Sequence, residues 1–447
     1  MSRTICALAT PPGTAGLAVI RISGNDAFAI CDKVYSGKSS IIDYMPNSIN
    51  FGRIIFNDAI IDEVTVAKFA APRSYTGEDV IEISCHGGVN VYNQIIDALL
   101  ETGCSPAEPG EFTRRAFLNG KMDLARVEAV ADLIHSESTA GAQTAARQLE
   151  GRFSEKLSNI RAELSKIAGL LELELDFAEE DIDLIDQRNI AHKIESVQNV
   201  INDLAGSHKS AEILRHGFYV GLAGFPNSGK STLFNALLER KRAIVSHIAG
   251  TTRDYLEEAL HIEGIPVKIT DTAGLRNTTD AVEVEGVLMV ESVLQRSDLI
   301  LVINDSSLGW YHSDELTSQL ELLYPHAEVA LVQNKIDKID TFDEMAPLTI
   351  SAKFGEGIKE LKRYIYERAM TNTSLSMDSL VNRRQANLLL KASEALDGAL
   401  DAIDAGRENE LIALEIRSAI STFGEITGEK WSEEVLNTIF GQFCIGK

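Results

Sequence analysis

The pattern of apolar and polar positions changes character along the chain, and each change predicts a different kind of structure. Residues 1–118 alternate short apolar runs at 17–22, 51–56, 60–69 and 80–85 with turn-forming residues, which predicts the strands of a small α+β domain. From 124 to about 175, apolar residues recur three and four positions apart: Val127, Val130, Ala131 and Ile134, then Leu157, Ile160, Leu164, Ile167 and Leu171. That spacing puts them on one face of long amphipathic helices. Between 218 and 370, the runs 219–223, 267–269, 299–303, 329–332 and 348–350 alternate with helical segments, the pattern of a doubly wound α/β domain. Helical spacing returns at 387–403, 411–423 and 435–440, where a single apolar face needs a partner to cover it. The simplest arrangement inserts the α/β domain into a helical domain built from both flanks. The expected divisions are 1–118, 119–214, 215–375 and 376–447.

Composition narrows the class. A chain of 447 residues is long enough for about three domains. With 45% hydrophobic and 24% charged residues it has the make-up of an ordinary soluble globular protein. A net charge of −24 repels nucleic-acid phosphate, so any RNA contact must be local or assisted by a partner. Cys6, Cys31, Cys85, Cys104 and Cys444 are widely spaced and form no CxxC pair, which predicts reduced thiols of a cytoplasmic protein. The uncharged stretch 4–20 contains Pro11-Pro12-Gly13 and lacks the basic start of a signal peptide, and no segment reads as a membrane span. Gly446 and Lys447 suit a prenylation box poorly. The acidic run 172–186 predicts a solvated helix end or loop, with metal binding as the alternative.

Gly224-Phe225-Pro226-Asn227-Ser228-Gly229-Lys230-Ser231 is a phosphate-loop sequence directly after an apolar strand. Its backbone N–H groups can converge on phosphate oxygens, Lys230 can reach the β- and γ-phosphates, Ser231 can offer an oxygen to Mg²⁺, and Thr232 follows as a further nucleotide contact. Asp271-Thr272-Ala273-Gly274 lies at the end of the run 267–269, where a carboxylate can hold Mg²⁺ through water and a glycine amide can meet the γ-phosphate. Asn334-Lys335-Ile336-Asp337 follows 329–332, and the Asp337 carboxylate can accept hydrogen bonds from guanine N1–H and the 2-amino group. Ser351-Ala352-Lys353 follows 348–350 and can close over the base. Each motif is weak alone; together, in this order and at strand ends, they predict GTP binding in a Ras-like G domain.

The glutamine that Ras-like enzymes place after DxxG is Leu275 here, so water must be oriented from elsewhere. Glu283 and Glu285 are the competing carboxylates, each of which an exposed helix position would equally explain. Asn227 can help hold a monovalent cation, with oxygens of Ser246, Ile248 and Thr251 completing the cage, and such an ion would fill an arginine finger's electrostatic role. The loop Ser246, His247, Ile248, Ala249, Gly250, Thr251 and Thr252 would order on the nucleotide, with Thr252 on Mg²⁺. Arg253 is either a finger or the ion-pair partner of Asp254.

Across nearly its whole length the chain resembles the bacterial and organellar tRNA-modification GTPases called TrmE or MnmE. The resemblance rests on the GTPase motifs, Ile248-Ala249-Gly250-Thr251-Thr252-Arg253-Asp254, Ala9-Thr10-Pro11-Pro12-Gly13, Gly77-Glu78-Asp79, His86-Gly87-Gly88, Pro109-Gly110-Glu111-Phe112 and Cys444-Ile445-Gly446-Lys447. It implies a K⁺-stimulated GTPase whose G domains pair across a homodimer, with Asn227, Ser246, Ile248 and Thr251 around K⁺ and Glu283 directing water. It further implies a flavin-containing partner, GidA or MnmG, with which the enzyme adds an aminomethyl-type group at carbon 5 of the wobble uridine of certain tRNAs. The family's N-terminal domain binds a tetrahydrofolate derivative, the one-carbon source, and makes the dimer; Arg21, Glu82, Lys121 and Lys447 match its folate-contacting places. Without the resemblance, Arg21 reads as a strand-end surface charge and Glu82 as an outward strand residue. Cys444 is either an accessible nucleophile or a small packed residue, and His86 is better explained as a satisfied turn histidine than as a ligand contact. Arg114 and Arg115, or Arg383 and Arg384, read as solvated pairs more readily than as RNA contacts. A ribosome-associated regulatory GTPase is the rival function, and it would require a basic appended RNA-binding domain that the acidic carboxyl-terminal helices do not supply.

Overall fold

The computed structural model describes residues 3–136, 138–176, 187–238, 257–271, 291–308, 311–339, 348–370 and 380–447. The chain separates into two compact units, one formed by residues 1–131, 148–191 and 394–447 and the other by 132–147 and 192–393. No described helix is long and apolar enough to cross a membrane.

The first unit is built on a seven-stranded sheet in the order β3-β4-β5-β6-β2-β1-β7: β1 (Ile5–Leu8), β2 (Ala15–Ser23), β3 (Tyr35–Gly37), β4 (Ser48–Phe56), β5 (Ala59–Phe69), β6 (Val80–Gly87) and β7 (Ser105–Pro106). The period-2 alternation sends Ile20, Ile22, Ile81, Ile83, Val64 and Val66 to one face. There they pack with Ile30 of helix α1 (Ala27–Asp32) and with Tyr92, Ile95 and Leu99 of α2 (Val89–Thr102). The opposite face carries Leu17, Ile49 and Phe51, all more than half exposed. A second core joins Phe117 of α3 (Glu111–Leu118) and Leu124 and Val127 of α4 (Leu124–His135) to Leu436, Ile439 and Phe440 of the helix Glu433–Phe440. The segment predicted helical from 124 to about 175 is three helices: α4, α5 (Thr139–Leu149) and α6 (Arg152–Asp176). On α6, Leu157, Ile160, Leu164, Ile167 and Leu171 are all buried, as their spacing requires. The start of the acidic run is paired: Glu172 with Arg417, and Glu174 with Asn409, on the helix Asn409–Thr427. Residues 177–186 of that run lie outside the described residues.

The second unit carries helices α7 (Gln187–Gly206, from residue 192) and α8 (His208–His216) and a five-stranded sheet ordered β12-β11-β8-β10-β9. Its strands are β8 (Phe218–Ala223), β9 (Glu257–Ile262), β10 (Ile265–Asp271), β11 (Leu299–Asp305) and β12 (Glu328–Asn334). Both β10 and β11 pair in parallel with β8, β12 pairs in parallel with β11, and among the described strands of this sheet only β9 runs antiparallel, to β10. The apolar run 348–350 is not a strand. One parallel bridge joins Thr349 to Gln333, after which Ser351 pairs with Glu356 across a tight turn and the ladder ends.

Candidate functional site

Strand order reverses at β8, and the carboxyl ends of β8, β11 and β12 leave the sheet on the same edge, the place where α/β sheets form a binding crevice. The chain leaves β8 through Gly224 at φ 134°, Asn227 at 63° and Gly229 at 102°, then enters helix α9 (Lys230–Leu237), whose first amides have no partner within the helix. Side chains are excluded at two of these turns. A Cβ on Gly224 would lie 2.4 Å from the Ile303 carbonyl oxygen, and one on Gly229 would lie 2.2 Å from Asn334 Nδ2. Lys230 is buried and donates from Nζ to the carbonyls of Gly224 and Phe225, 2.9 Å each. Ser228 Oγ is buried with no hydrogen-bond partner among the described residues, a polar atom that an oxyanion in the loop would satisfy. Ser231 and Thr232 are exposed on the first turn of α9, placed to meet a nucleotide and its cation.

Asn334 ties three motifs together. Its Nδ2 donates to the Ser228 carbonyl at 2.9 Å, and its Oδ1 accepts from the Ala352 amide at 3.1 Å. Lys335, at φ 64°, donates from Nζ to the Asn227 carbonyl and to Asp305 Oδ2, 2.6 Å each. Ser351 Oγ donates to Asp337 Oδ1 at 2.6 Å, fixing the carboxylate. Lys353 holds its ammonium 5.0 Å from the centre of the Phe354 ring. Asp305 was not among the sequence-predicted residues. Burial pushes its carboxyl up, but hydrogen bonds from Lys335 and Ser307 outweigh this and hold it below the usual carboxylate range. Sequence alone does not mark it, because its role depends on the parallel register that sets Asp305 opposite Asn334, one residue before Lys335.

Asp271 ends β10, opposite Leu222 of β8, so its backbone reaches the same sheet edge. Ser246, His247, Ile248, Ala249, Gly250, Thr251, Thr252, Thr272, Ala273, Gly274 and Glu283 lie outside the described residues, as do Arg253, Leu275 and Glu285.

In the first unit, Arg21 and Glu82 face each other across β2 and β6, with Arg21 Nε 2.9 Å from Glu82 Oε1. Arg21 is only 14% exposed, so it is not the strand-end surface charge that the residues alone suggest. It stacks near the rings of Tyr75 and Phe112 and donates to the Gly446 carbonyl at 3.3 Å. Phe112 N donates to the Lys447 carbonyl at 3.3 Å, which brings the chain's last residues to Arg21. Gly446 has no room for a Cβ, which would sit 2.1 Å from the Leu8 oxygen. Lys121 donates to the Pro72 carbonyl. Cationic and carboxylate side chains beside two rings suit an anionic heteroaromatic ligand.

Three further expectations resolve here. Cys444 is exposed, so it is not a packed helix residue. His86 ends on strand β6 with Nδ1 2.7 Å from Asp62 Oδ1, a satisfied histidine. Arg115 is not solvated: it is buried and bonds Glu78, Glu111 and the carbonyls of Ser23 and Arg3. Its neighbour Arg114 pairs with Glu433.

A phosphate loop joined through Asn334 to a carboxylate suited to guanine's donor edge is the layout of a GTP-hydrolysing P-loop enzyme. Comparison with known proteins narrows the class. The family model described as "MnmE helical domain" matches residues 124–444, and that described as "GTP-binding protein TrmE N-terminus" matches 4–121. The tRNA modification GTPase MnmE of Christiangramia forsetii is 38% identical over 100% of both chains. That of Cytophaga hutchinsonii is 41% identical over 99% of this chain and 98% of its own. Among solved structures, the G domain of the T. maritima FeoB iron transporter is 27% identical, covering 34% of this chain and 98% of its own, with a TM-score of 0.26. The chain belongs to the MnmE family of tRNA modification GTPases.

Proposed function

We propose that this GTPase couples nucleotide hydrolysis to modification of tRNA, acting with a flavin-containing partner of the GidA/MnmG kind at carbon 5 of the wobble uridine. The observation that carries the reading is Asn334, whose side chain joins the phosphate loop at Ser228 to the base-closing loop at Ala352. Lys230 and the loop amides bind the triphosphate, and Asp337 selects guanine, whose N1–H and 2-amino donors adenine lacks. Mg²⁺, held by Ser231 and Thr252 and through water by Asp271, and K⁺, held by Asn227, Ser246, Ile248 and Thr251, would supply positive charge to the phosphates. The buried Ser228 Oγ, without a hydrogen-bond partner among the described residues, and the glycines at 224 and 229 fit a loop built to close on an anion. Glu283 orients the attacking water in this reading.

A tetrahydrofolate derivative would supply a one-carbon unit at Arg21, Glu82, Lys121 and Lys447, which the paired Arg21 and Glu82 support. The apolar outer face of the sheet at Leu17, Ile49 and Phe51 supports a homodimer formed through residues 1–118. We assign residues 119–214 and 376–447 to the helical domain and 215–375 to the G domain, in a cytoplasmic enzyme. GTP supplies conformational work and no atoms to the product. The test is mass spectrometry of wobble nucleosides from cells lacking this gene, alongside GTP hydrolysis by the purified chain in Mg²⁺ with K⁺ or Na⁺. Loss of the uridine modification and faster hydrolysis in K⁺ are expected; wild-type amounts of the modified uridine in the deletion strain refute the tRNA assignment.

A further inference from the structure

Asp305 lies outside every motif, yet it stands at the meeting point of the base-reading and phosphate loops. Lys335 Nζ sits between two oxygens, Asp305 Oδ2 and the Asn227 carbonyl, each at 2.6 Å. The Asp305 side chain is 11% exposed and that of Lys335 23%, so the pair is largely withdrawn from water, where a charge-assisted hydrogen bond fixes geometry best. The carboxylate is itself anchored, accepting from Ser307 Oγ at 2.7 Å and from the Ser307 amide at 3.2 Å. Asn227, at the far end of the clamp, is a non-glycine residue held at φ 63°, a conformation that needs support from its surroundings.

We infer that Asp305 is a positioning residue that links guanine recognition to monovalent-cation binding. This rests on the GTPase reading above and deepens it. The acid holds the Lys335 ammonium, the ammonium holds the Asn227 carbonyl, and the Asn227 backbone aims the side chain assigned to K⁺. Whatever fixes Lys335 in the base-reading loop therefore also sets the cation ligand. Without the carboxylate, the ammonium keeps its bond to Asn227 but loses the partner that fixes its direction, and both sites loosen together.

The test uses the full chain with Asp305→Asn, which keeps shape and removes charge, and Asp305→Glu, which keeps charge and displaces it. Three quantities are measured: dissociation rate of a fluorescent guanine nucleotide, the K⁺ concentration giving half-maximal GTP hydrolysis, and the melting temperature of the nucleotide-free protein. Asp305→Asn should raise the dissociation rate about tenfold and the K⁺ requirement severalfold, with Asp305→Glu between it and wild type. A K⁺ requirement within twofold of wild type in both variants overturns the inference, including where nucleotide release or melting temperature changes. Failure of the reading it rests on shows instead in the wild-type chain, as an absence of guanine-nucleotide binding or as hydrolysis that does not respond to K⁺.

Discussion

The two candidate sites are built in opposite ways. In the second unit, the phosphate loop and base reader are short contiguous motifs, each placed by a single strand end on one edge of a parallel sheet. In the first unit, the candidate folate contacts Arg21, Glu82, Lys121 and Lys447 are scattered over the chain, and a sheet ladder and a docked carboxyl-terminal segment bring Arg21, Glu82 and the last residues together. A contiguous site carries its geometry in local backbone requirements, such as glycine at 224 and 229, and can be read from spacing. A scattered site carries its geometry in tertiary packing, and single residues then look like ordinary surface charges.

The largest effect should come from the contiguous site. Asp337→Asn replaces an acceptor-only carboxylate, fixed by Ser351 Oγ at 2.6 Å, with an amide that presents a donor to guanine N1–H. GTP affinity should fall by up to ~10⁴-fold while xanthosine triphosphate, whose base carries an oxygen in place of the 2-amino group, becomes a ligand. Competition titrations with both nucleotides check this, and unchanged GTP affinity would remove Asp337 from the base site.

Next in size is a purely structural effect in the first unit. Arg115 satisfies Glu78 at 2.9 Å and Glu111 at 2.8 Å, and Arg115→Met would take this cation from two largely buried carboxylates, leaving Glu111 with Arg3 at 3.3 Å. Breaking one side of such a network costs about 3–5 kcal/mol. Chemical denaturation should show the loss with guanine-nucleotide affinity unchanged; a variant as stable as wild type would mean that the network contributes little.

Arg21→Ala sharpens the comparison itself. It removes the charged partner of Glu82 and the donor to Gly446, so it should weaken tetrahydrofolate binding by about 1.5–3 kcal/mol, the usual range for a hydrogen bond to a charged group. Calorimetric titration with tetrahydrofolate and with GTP separates the sites. Equal losses for both ligands would show that Arg21 acts through stability and not through a ligand contact.

The same contrast explains what could be read beforehand. The strands at 219–223, 267–269, 299–303 and 329–332 were legible because buried parallel strands are continuous apolar runs, and each lies within an observed strand. The run 348–350 has the same composition, but the chain turns at Ser351 before a ladder forms, and no apolar pattern encodes that turn. Asp305 and Arg115 were missed for a different reason. Their roles depend on partners supplied by other elements, Lys335 across a strand register for one and Glu78 in a loop for the other, and a charged residue does not announce its partner in sequence. The Arg21–Glu82 pair is intermediate: both positions were marked by the family resemblance, while their pairing required the antiparallel register of β2 and β6.

The smallest predicted effect concerns pH and again separates the two regions. Burial pushes the Glu111 carboxyl up, but the Glu108 amide, Arg115 and Arg3 outweigh it and hold the group below its ordinary value. A carboxyl depressed in the folded state contributes stability that is present above the unfolded value near ~4.3 and is lost as pH falls through the lower folded value. Stability of the first unit should therefore decline below pH ~4.3, and Glu111→Gln should flatten that decline because its amide does not titrate. Denaturant midpoints of wild type and variant, measured at neutral pH and at two values below ~4.3, supply the comparison. Parallel pH profiles for the two proteins would show that acid sensitivity arises elsewhere, and Asp305, whose carboxyl is likewise held low by Lys335 and Ser307 against its burial, would then be the group to replace next.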